Sequence, residues 1–463
     1  MPVSIFEKES RVNVPVDALF QWHARQGAIE RLTPPWAPVK LIRRTGGIEK
    51  GARVRFRLTF FKIPFEWEAE HAEYEENRLF RDRQVRGPFS HWTHTHLFAR
   101  KGENAALMKD RIEFQLPFDV PGRLLHRLAE KELERMFAYR HRVLQNDLAA
   151  HARIFKRFTV LVSGGGGVIG SQLVAYLRAG GHRVVRLVRR RPVPGSDELY
   201  WNPENGELDL EEAGPIDAVI NLNGANIARR WTPPGKREIL ASRVNPTSLL
   251  ARKMAVLETK PSVFLTSSAV GFYGNREDEM ITEDAPGGSG FMSRVCADWE
   301  KAAKPAADAG VRTCFLRIGV VLTPAGGALA RMVPFHKAGL GGRIGNGKQV
   351  TSWISMDDTL GAVHHALFDD RLSGPVNLTA PAPVSNRVFA RSLSTVLSRP
   401  GRIRIPGRLV KLLWGEMGSE VLLSGAAVMP EKLLATGYRF IHSNLDDALS
   451  HLLGRPVIDS TEV

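Results

Sequence analysis

The chain has 463 residues, 43% of them hydrophobic, a length that suits two or three domains at roughly 100–200 residues each. Its two cysteines, Cys296 and Cys314, exclude a disulfide framework; its start lacks the apolar stretch of a signal peptide and no run approaches the ~20 apolar residues of a membrane helix, so a cytoplasmic protein with no membrane span is expected. The net charge of +15 comes from Lys and Arg scattered among Glu and Asp, which argues against a nucleic-acid partner. In chain order, a strand is expected near Phe6–Val14, then a short helix over Asp17–His23 and a proline-rich turn, Thr33–Trp36. Arg53–Leu58 and Phe65–Glu70 alternate polar and apolar residues, the period of a half-buried strand, and His91–Phe98 and Asp110–Phe114 are further strand segments. Leu125, Leu128, Leu133, Met136, Phe137, Val143, Leu144 and Leu148 then recur at helical spacing and predict one long helix from Pro121 to about Phe155.

This order of elements, with the phrase VNVPVDALFQWHA (Val12–Ala24), resembles the α+β helix-grip fold of START-like and polyketide-cyclase-like proteins over residues 1–153. The resemblance implies a sheet curled around the long helix, an apolar cavity and a hydrophobic ligand; a packed accessory domain without a ligand is the other reading. His94 and His96 would share a strand face with Trp92 while His91 faces away. With no Cys or carboxylate beside them in sequence, no metal site is expected.

Phe158–Gly170 reads FTVLVSGGGGVIG: a short apolar strand, a glycine turn and the start of a helix continued by Leu173, Val174 and Leu177. Gly164, Gly167 and Gly170 stand three apart. In a dinucleotide site the first glycine permits the tight turn, the second lets the backbone approach a pyrophosphate, and the third lets the helix pack on the strand. A second strand, His182–Arg189, ends in Arg189, Arg190 and Arg191. An acidic residue near this point suits the ribose 2′-OH of NAD, whereas arginine suits a 2′-phosphate, so NADP is favoured over NAD. Ile216–Leu222, Ser262–Thr266 and Val311–Ile318 read as further buried strands, with helices over Glu238–Leu257 and Thr359–Phe368, the latter expected to be capped by Asp357 and Asp358. His364 and His365 read as structural or surface residues. Strands alternating with helices imply a doubly wound parallel sheet with ligands at the C-terminal strand ends.

The motifs SGGGGVIG, INLNGANI, LTSSAVGFYG and LRIGVVL follow in the order of the extended short-chain dehydrogenases/reductases. RRW (Arg229–Trp231), ASR (Ala241–Arg243), VCADWE (Val295–Glu300), GLGGRIGNGKQ (Gly339–Gln349) and WISMDD (Trp353–Asp358) are similar to its atypical, sugar-nucleotide epimerase-like branch. The tail, through Glu431–Phe440, resembles that branch's small C-terminal domain. The expected division is a helix-grip domain over 1–153, an NAD(P)-binding Rossmann domain over 158–390 and a C-terminal domain over 391–463. The resemblance implies pyrophosphate contacts at Gly164, Gly167 and Gly170 and adenosine-end contacts at Arg189 and Arg190. Leu222, Asn223 and Gly224 would lie under the adenine-side ribose, Glu238 and Arg243 would approach the cofactor, and Val321 would lie near the nicotinamide.

Typical members of the superfamily exchange a proton through a tyrosine whose pKa is lowered by a lysine four residues on. The matching helix here begins Gly290-Phe291-Met292-Ser293-Arg294-Val295-Cys296, so Phe291/Val295 or Met292/Cys296 take those places and no such pair exists. Ser268 matches the usual serine position, and Tyr273 is the other hydroxyl that a loop could present. Cys296 reads as a small buried cysteine rather than a nucleophile. Two functions are expected from this: an NADP(H)-dependent oxidoreductase or epimerase on a small or nucleotide-linked substrate, or a non-catalytic NADP(H) sensor or scaffold. The label of cell-division inhibitor that some chains of the branch carry fits the second. A third is a lipid-binding protein led by the N-terminal domain.

Overall fold

Alternation along the first 115 positions produces antiparallel strands. In the computed structural model, which describes residues 3–37, 39–60, 63–116 and 123–456, seven strands form one antiparallel sheet. Their order is Ser4–Val12, Ala106–Gln115, His91–Arg100, Leu79–Arg86, Ile63–Glu75, Arg53–Phe60 and Val39–Thr45. Short helices, Val16–Ala24 and Ala28–Leu32, follow the first strand, and a long helix, Arg123–His151, closes the segment. The expected helix start at Pro121 and Gly122 lies outside the described residues. The helix ends at His151, short of Phe155, whose side chain is exposed.

Register in this sheet follows charge as well as apolar pattern. Arg53, Arg55 and Arg57 stand opposite Glu70, Glu68 and Glu66, and the Arg55–Glu68 pair closes to 2.8 Å. Such pairs contribute only about 0–1 kcal/mol each, but a one-residue slip would break them all and turn the apolar face outward. The strand Ala106–Gln115 buries every second residue. Ile112 and Phe114 pack with Leu133 and Phe137 of the long helix, and Met108 packs with Leu144 and Leu148. Each such side chain stabilises the fold by roughly 1.5–3 kcal/mol. The strands Val39–Thr45 and Leu79–Arg86 were not expected; VKLIRRT carries a register shift between Leu41 and Arg43 that breaks its alternation.

Asp110 is the acidic residue on the buried face of its strand, 1% exposed. It lies opposite His96, and Asp82 lies opposite His94. The histidines do share a buried face with Trp92. The expectation that they have no carboxylate partner is corrected: pairing of strands distant in sequence supplies two.

The rest of the chain builds a doubly wound sheet of eight strands. The order is Glu207–Leu208, Glu198–Asn202, Arg183–Val188, Thr159–Ser163, Ala218–Asn221, Val263–Ala269, Arg312–Ile318 and Gly374–Leu378. All neighbours are parallel except the first pair. The helix expected from Glu238 begins earlier, at Pro233, because Thr232 caps it by accepting the Gly235 N–H at 3.2 Å and proline occupies its first turn. The helix Met356–Phe368 is capped by Ser355, not by Asp357 or Asp358. Asp358 instead accepts the N–H groups of Ile441 and His442, and Asp357 accepts from His451 Nε2 at 3.0 Å. His364 is buried and His365 half-buried.

The chain divides into two compact units, Met1–Lys156 with Ala175–Gly181 and Arg157–Val174 with His182–Val463. The expected boundary between 390 and 391 falls inside the helix Asn386–Val396, whose Phe389, Leu393 and Val396 share one core with Leu445, Leu449 and Leu452. Among the described residues no helix is long and apolar enough to cross a membrane.

Candidate functional site

The doubly wound sheet reverses its order between Thr159–Ser163 and Ala218–Asn221, and connections leaving in opposite directions open a crevice beyond those strand ends. A buried polar network fixes the crevice floor. Ser163 Oγ donates to Asn221 Oδ1 at 2.8 Å, and Asn221 Nδ2 donates to Thr247 Oγ1 at 2.7 Å and Thr266 Oγ1 at 3.1 Å. Asn223 Nδ2 donates to Ser163 Oγ at 2.6 Å, and Trp299 Nε1 to Thr247 Oγ1 at 2.9 Å. Three neighbouring strands and two helices are thereby held in one arrangement.

The glycine turn sits at this point. Gly164 has φ +74°, and a Cβ there would lie 2.6 Å from the Leu222 carbonyl oxygen, so the position requires glycine. A Cβ on Gly170 would lie 2.2 Å from the Gly164 carbonyl oxygen, which lets the helix Val168–Ala179 start hard against the turn. Gly166, Gly167 and Val168 are exposed, and the helix has no acidic residue in its first turn. The arrangement leaves backbone N–H groups at the positive end of a helix dipole open to an anion.

Arg189 and Arg190 follow the strand Arg183–Val188, both exposed. Arg190 makes two hydrogen bonds to Glu198, at 2.7 and 2.9 Å, and Arg186 pairs with the same carboxylate. These bonds, Arg190's first, hold the Glu198 carboxyl down to about 2. Arg189 has no ion-pair partner among the described residues.

Leu222 and Asn223 are half-buried and Gly224 is exposed. Arg243 lies directly behind them: its guanidinium donates to the carbonyls of Ile239 and Ala225, and a Cβ on Gly224 would come within 3.0 Å of it. Arg243 is 8% exposed and therefore shapes the loop from behind. Glu238 is solvent-facing and pairs with Arg229 at 2.7 Å. Val321 is half-buried on the short strand Val320–Leu322, opposite Ile354.

Ser268 lies near the end of the strand Val263–Ala269, 3% exposed, and its Oγ donates to Glu300 Oε1 at 2.7 Å. Glu300 also accepts two bonds from Arg317, each 2.9 Å. Arg317 stacks 3.6 Å over the Phe272 ring and donates to the Tyr273 hydroxyl at 3.0 Å. The Tyr273 hydroxyl donates in turn to Asn377 Oδ1 at 2.8 Å. Tyr273 is fully buried, and burial pushes its phenol above the ordinary range. The expectation of a hydroxyl presented from a loop is corrected: the side chain is a buried post. Three residues of this chain of bonds were not expected from the sequence: Arg317 and Asn377, which hold the Tyr273 hydroxyl, and Glu300, which joins Arg317 to Ser268; the local signal for them is an arginine inside the apolar strand Arg312–Ile318.

Phe291, Met292, Val295 and Cys296 are all buried, in a cluster with Trp231, Ile239 and Met417. Glu420 accepts the Phe291 and Met292 N–H groups at 2.9 and 3.1 Å and fixes the start of their helix. Burial pushes the Cys296 thiol up to about 11. Packing occupies the positions where the tyrosine and lysine would stand.

A glycine turn at the switch point of a parallel sheet, with buried apolar side chains in place of the tyrosine–lysine pair, defines an extended, Rossmann-type nucleotide-binding protein. The profile of the NAD dependent epimerase/dehydratase family matches residues 160–378, and a domain of unknown function (DUF1731) matches residues 405–452. An epimerase family protein of Mycobacterium tuberculosis is 43% identical over 298 residues, 64% of this chain and 98% of that one. The chain belongs to the epimerase/dehydratase family, within the extended short-chain dehydrogenases/reductases. Among solved structures, a nucleoside-diphosphate sugar epimerase from Corynebacterium glutamicum superimposes with a TM-score of 0.81 at 29% identity, covering 99% of this chain and 92% of that one. The human epimerase family protein SDR39U1, solved with NADPH, does so with a TM-score of 0.59 at 35% identity, covering 64% of this chain and 98% of that one.

Proposed function

We propose that this protein is an NADP(H)-dependent oxidoreductase or epimerase of the cytoplasm, acting on a small or nucleotide-linked substrate. The observation that carries the reading is the exposed Arg189, without an ion-pair partner among the described residues, following the strand next to the open glycine turn. Gly164, Gly167 and Gly170 would cradle the pyrophosphate, and Arg189 with Arg190 the 2′-phosphate. Leu222, Asn223 and Gly224, shaped by Arg243, would line the adenine-side ribose, with Glu238 at the rim and Val321 near the nicotinamide. The NADPH in the human relative and the nucleotide-sugar name of the Corynebacterium protein support the same direction. A bound nicotinamide supplies the hydride; Ser268, oriented by Glu300, is the hydroxyl this chain offers at the strand ends.

A second reading, a non-catalytic NADP(H) sensor or scaffold, is favoured by the apolar cluster around Phe291 and Cys296 and by the locked Tyr273. The seven-stranded sheet with its long helix supports the helix-grip reading of the N-terminal segment and a hydrophobic ligand there. Nicotinamide fluorescence titrations with NADPH and NADH test the central claim. NADPH is expected to bind the more tightly, and Arg189→Ala with Arg190→Ala to weaken NADPH by about 10–100-fold, the worth of one or two charge-assisted bonds, while sparing NADH. Equal binding of both nucleotides by the unmodified protein would overturn the NADP preference, and no binding of either would overturn the cofactor site.

A further inference from the structure

Polar groups inside a protein are almost always hydrogen-bonded, and each buried one that is not costs about 1–3 kcal/mol. Among the described residues, the sheet of the first unit departs from this around Asp110. His71, Asp82 and His94 stand side by side on three neighbouring strands, and His96 and Asp110 form the next row. Asp110 is fully engaged: it accepts from His94 Nε2 at 2.8 Å and from His141 Nε2 at 2.6 Å, and His96 Nδ1 lies 2.7 Å from it without hydrogen-bond alignment. Around it, His23 Nε2, His71 Nδ1 and His96 Nδ1 are buried nitrogens with no hydrogen-bond partner among the described residues, on residues 4%, 7% and 8% exposed. The Asp82 carboxylate accepts no hydrogen bond among the described residues and lies 3.7 Å from His94 Nδ1.

We propose that Asp82, His94 and His96 bind a divalent cation of the zinc class. Each offers one donor atom, and the three atoms lie within 4.8 Å of one another. Zinc bonds of about 2.0–2.2 Å set ligand atoms roughly 3.5 Å apart in a tetrahedron, a closure of about 1 Å that side-chain rotation on two adjacent strands supplies. Two imidazoles and one carboxylate are a donor set for a borderline-soft ion and leave a fourth position open. The support behind the ligands is already built. His94 turns Nε2 to Asp110 and so presents Nδ1 towards Asp82, the carboxylate–histidine–metal arrangement that fixes tautomer and ring orientation. Phe80 stacks on His96 at 4.1 Å and holds its ring plane. His91, on the opposite face of the same strand, takes no part.

The test uses the full-length chain, stripped with a chelator and titrated first with zinc against a chromogenic competitor, then with cobalt(II). One equivalent of zinc is expected to bind far above the background of exposed histidines, and cobalt to give the visible absorption bands of a low-coordinate nitrogen–oxygen site. Asp82→Asn and His96→Gln should each abolish both signals. Asp110→Asn should weaken zinc by about 10–100-fold, as loss of an orienting carboxylate does. His91→Gln should change nothing. Circular dichroism checks that the variants fold; if they do not, the unmodified protein alone decides. No cobalt bands and no zinc binding in that protein, or binding that survives Asp82→Asn with His96→Gln, would overturn the proposal.

Discussion

Glu198 holds two arginines that a cofactor phosphate would also attract. Its carboxylate accepts from both Nη atoms of Arg190 and adds a negative charge beside the proposed 2′-phosphate position. Glu198→Gln is therefore expected to raise NADPH affinity relative to NADH, read as the ratio of the two dissociation constants. Gly164 is constrained by backbone rather than by chemistry. Gly164→Ala places a methyl group against the Leu222 carbonyl in a left-handed conformation, so a loss of about 1–3 kcal/mol in unfolding free energy is expected, together with loss of nucleotide binding. His364 sets a pH dependence. It is buried, and burial, helped by His182, Arg157 and His365, lowers its pKa from 6.5 to about 3. Between those values the unfolded chain takes up a proton that the folded chain refuses. Stability is therefore fully present above pH 6.5 and falls as pH drops towards 3, by up to about 1.4 kcal/mol per pH unit. Urea unfolding at pH 7 and pH 5 should show the difference between the two narrowing in His364→Phe.

At the scale of elements, the parts written consecutively in the chain were readable and the parts assembled across it were not. The strand, turn and helix start around Gly164 occupy thirteen residues from Phe158 to Gly170, and each glycine's role follows from its neighbours. The bridge Ser268–Glu300–Arg317–Tyr273–Asn377 draws on four segments up to a hundred residues apart, so no short window of sequence contains it. The same holds for Asp82 and Asp110, whose histidine partners are set by strand register. The bridge bears on the choice between enzyme and sensor. Arg317→Leu strands the mostly buried Glu300 carboxylate, and a loss of about 3–5 kcal/mol in urea unfolding is expected. Arg317→Lys keeps the charge without the two-pronged geometry and should recover part of it. A Ser268→Ala variant that binds NADPH normally yet loses turnover would favour the enzyme; unchanged behaviour in every assay would favour the sensor.

Across the whole molecule, the two units bury separate apolar cores. Each ligand should therefore stabilise the unit that holds its site. In a calorimetric scan, NADPH is expected to raise the melting of the unit built on the parallel sheet and zinc that of the antiparallel one. The thiols give a way to watch one unit alone. Both cysteines, Cys296 and Cys314, lie in the second unit with no exposed surface, and burial pushes each to about 11. Cys296 rides on the helix Phe291–Lys301, while Cys314 lies in a strand flanked on both sides. A colorimetric thiol reagent thus becomes a two-handed clock: the helix must swing away for the first hand to move, and the sheet itself must part for the second.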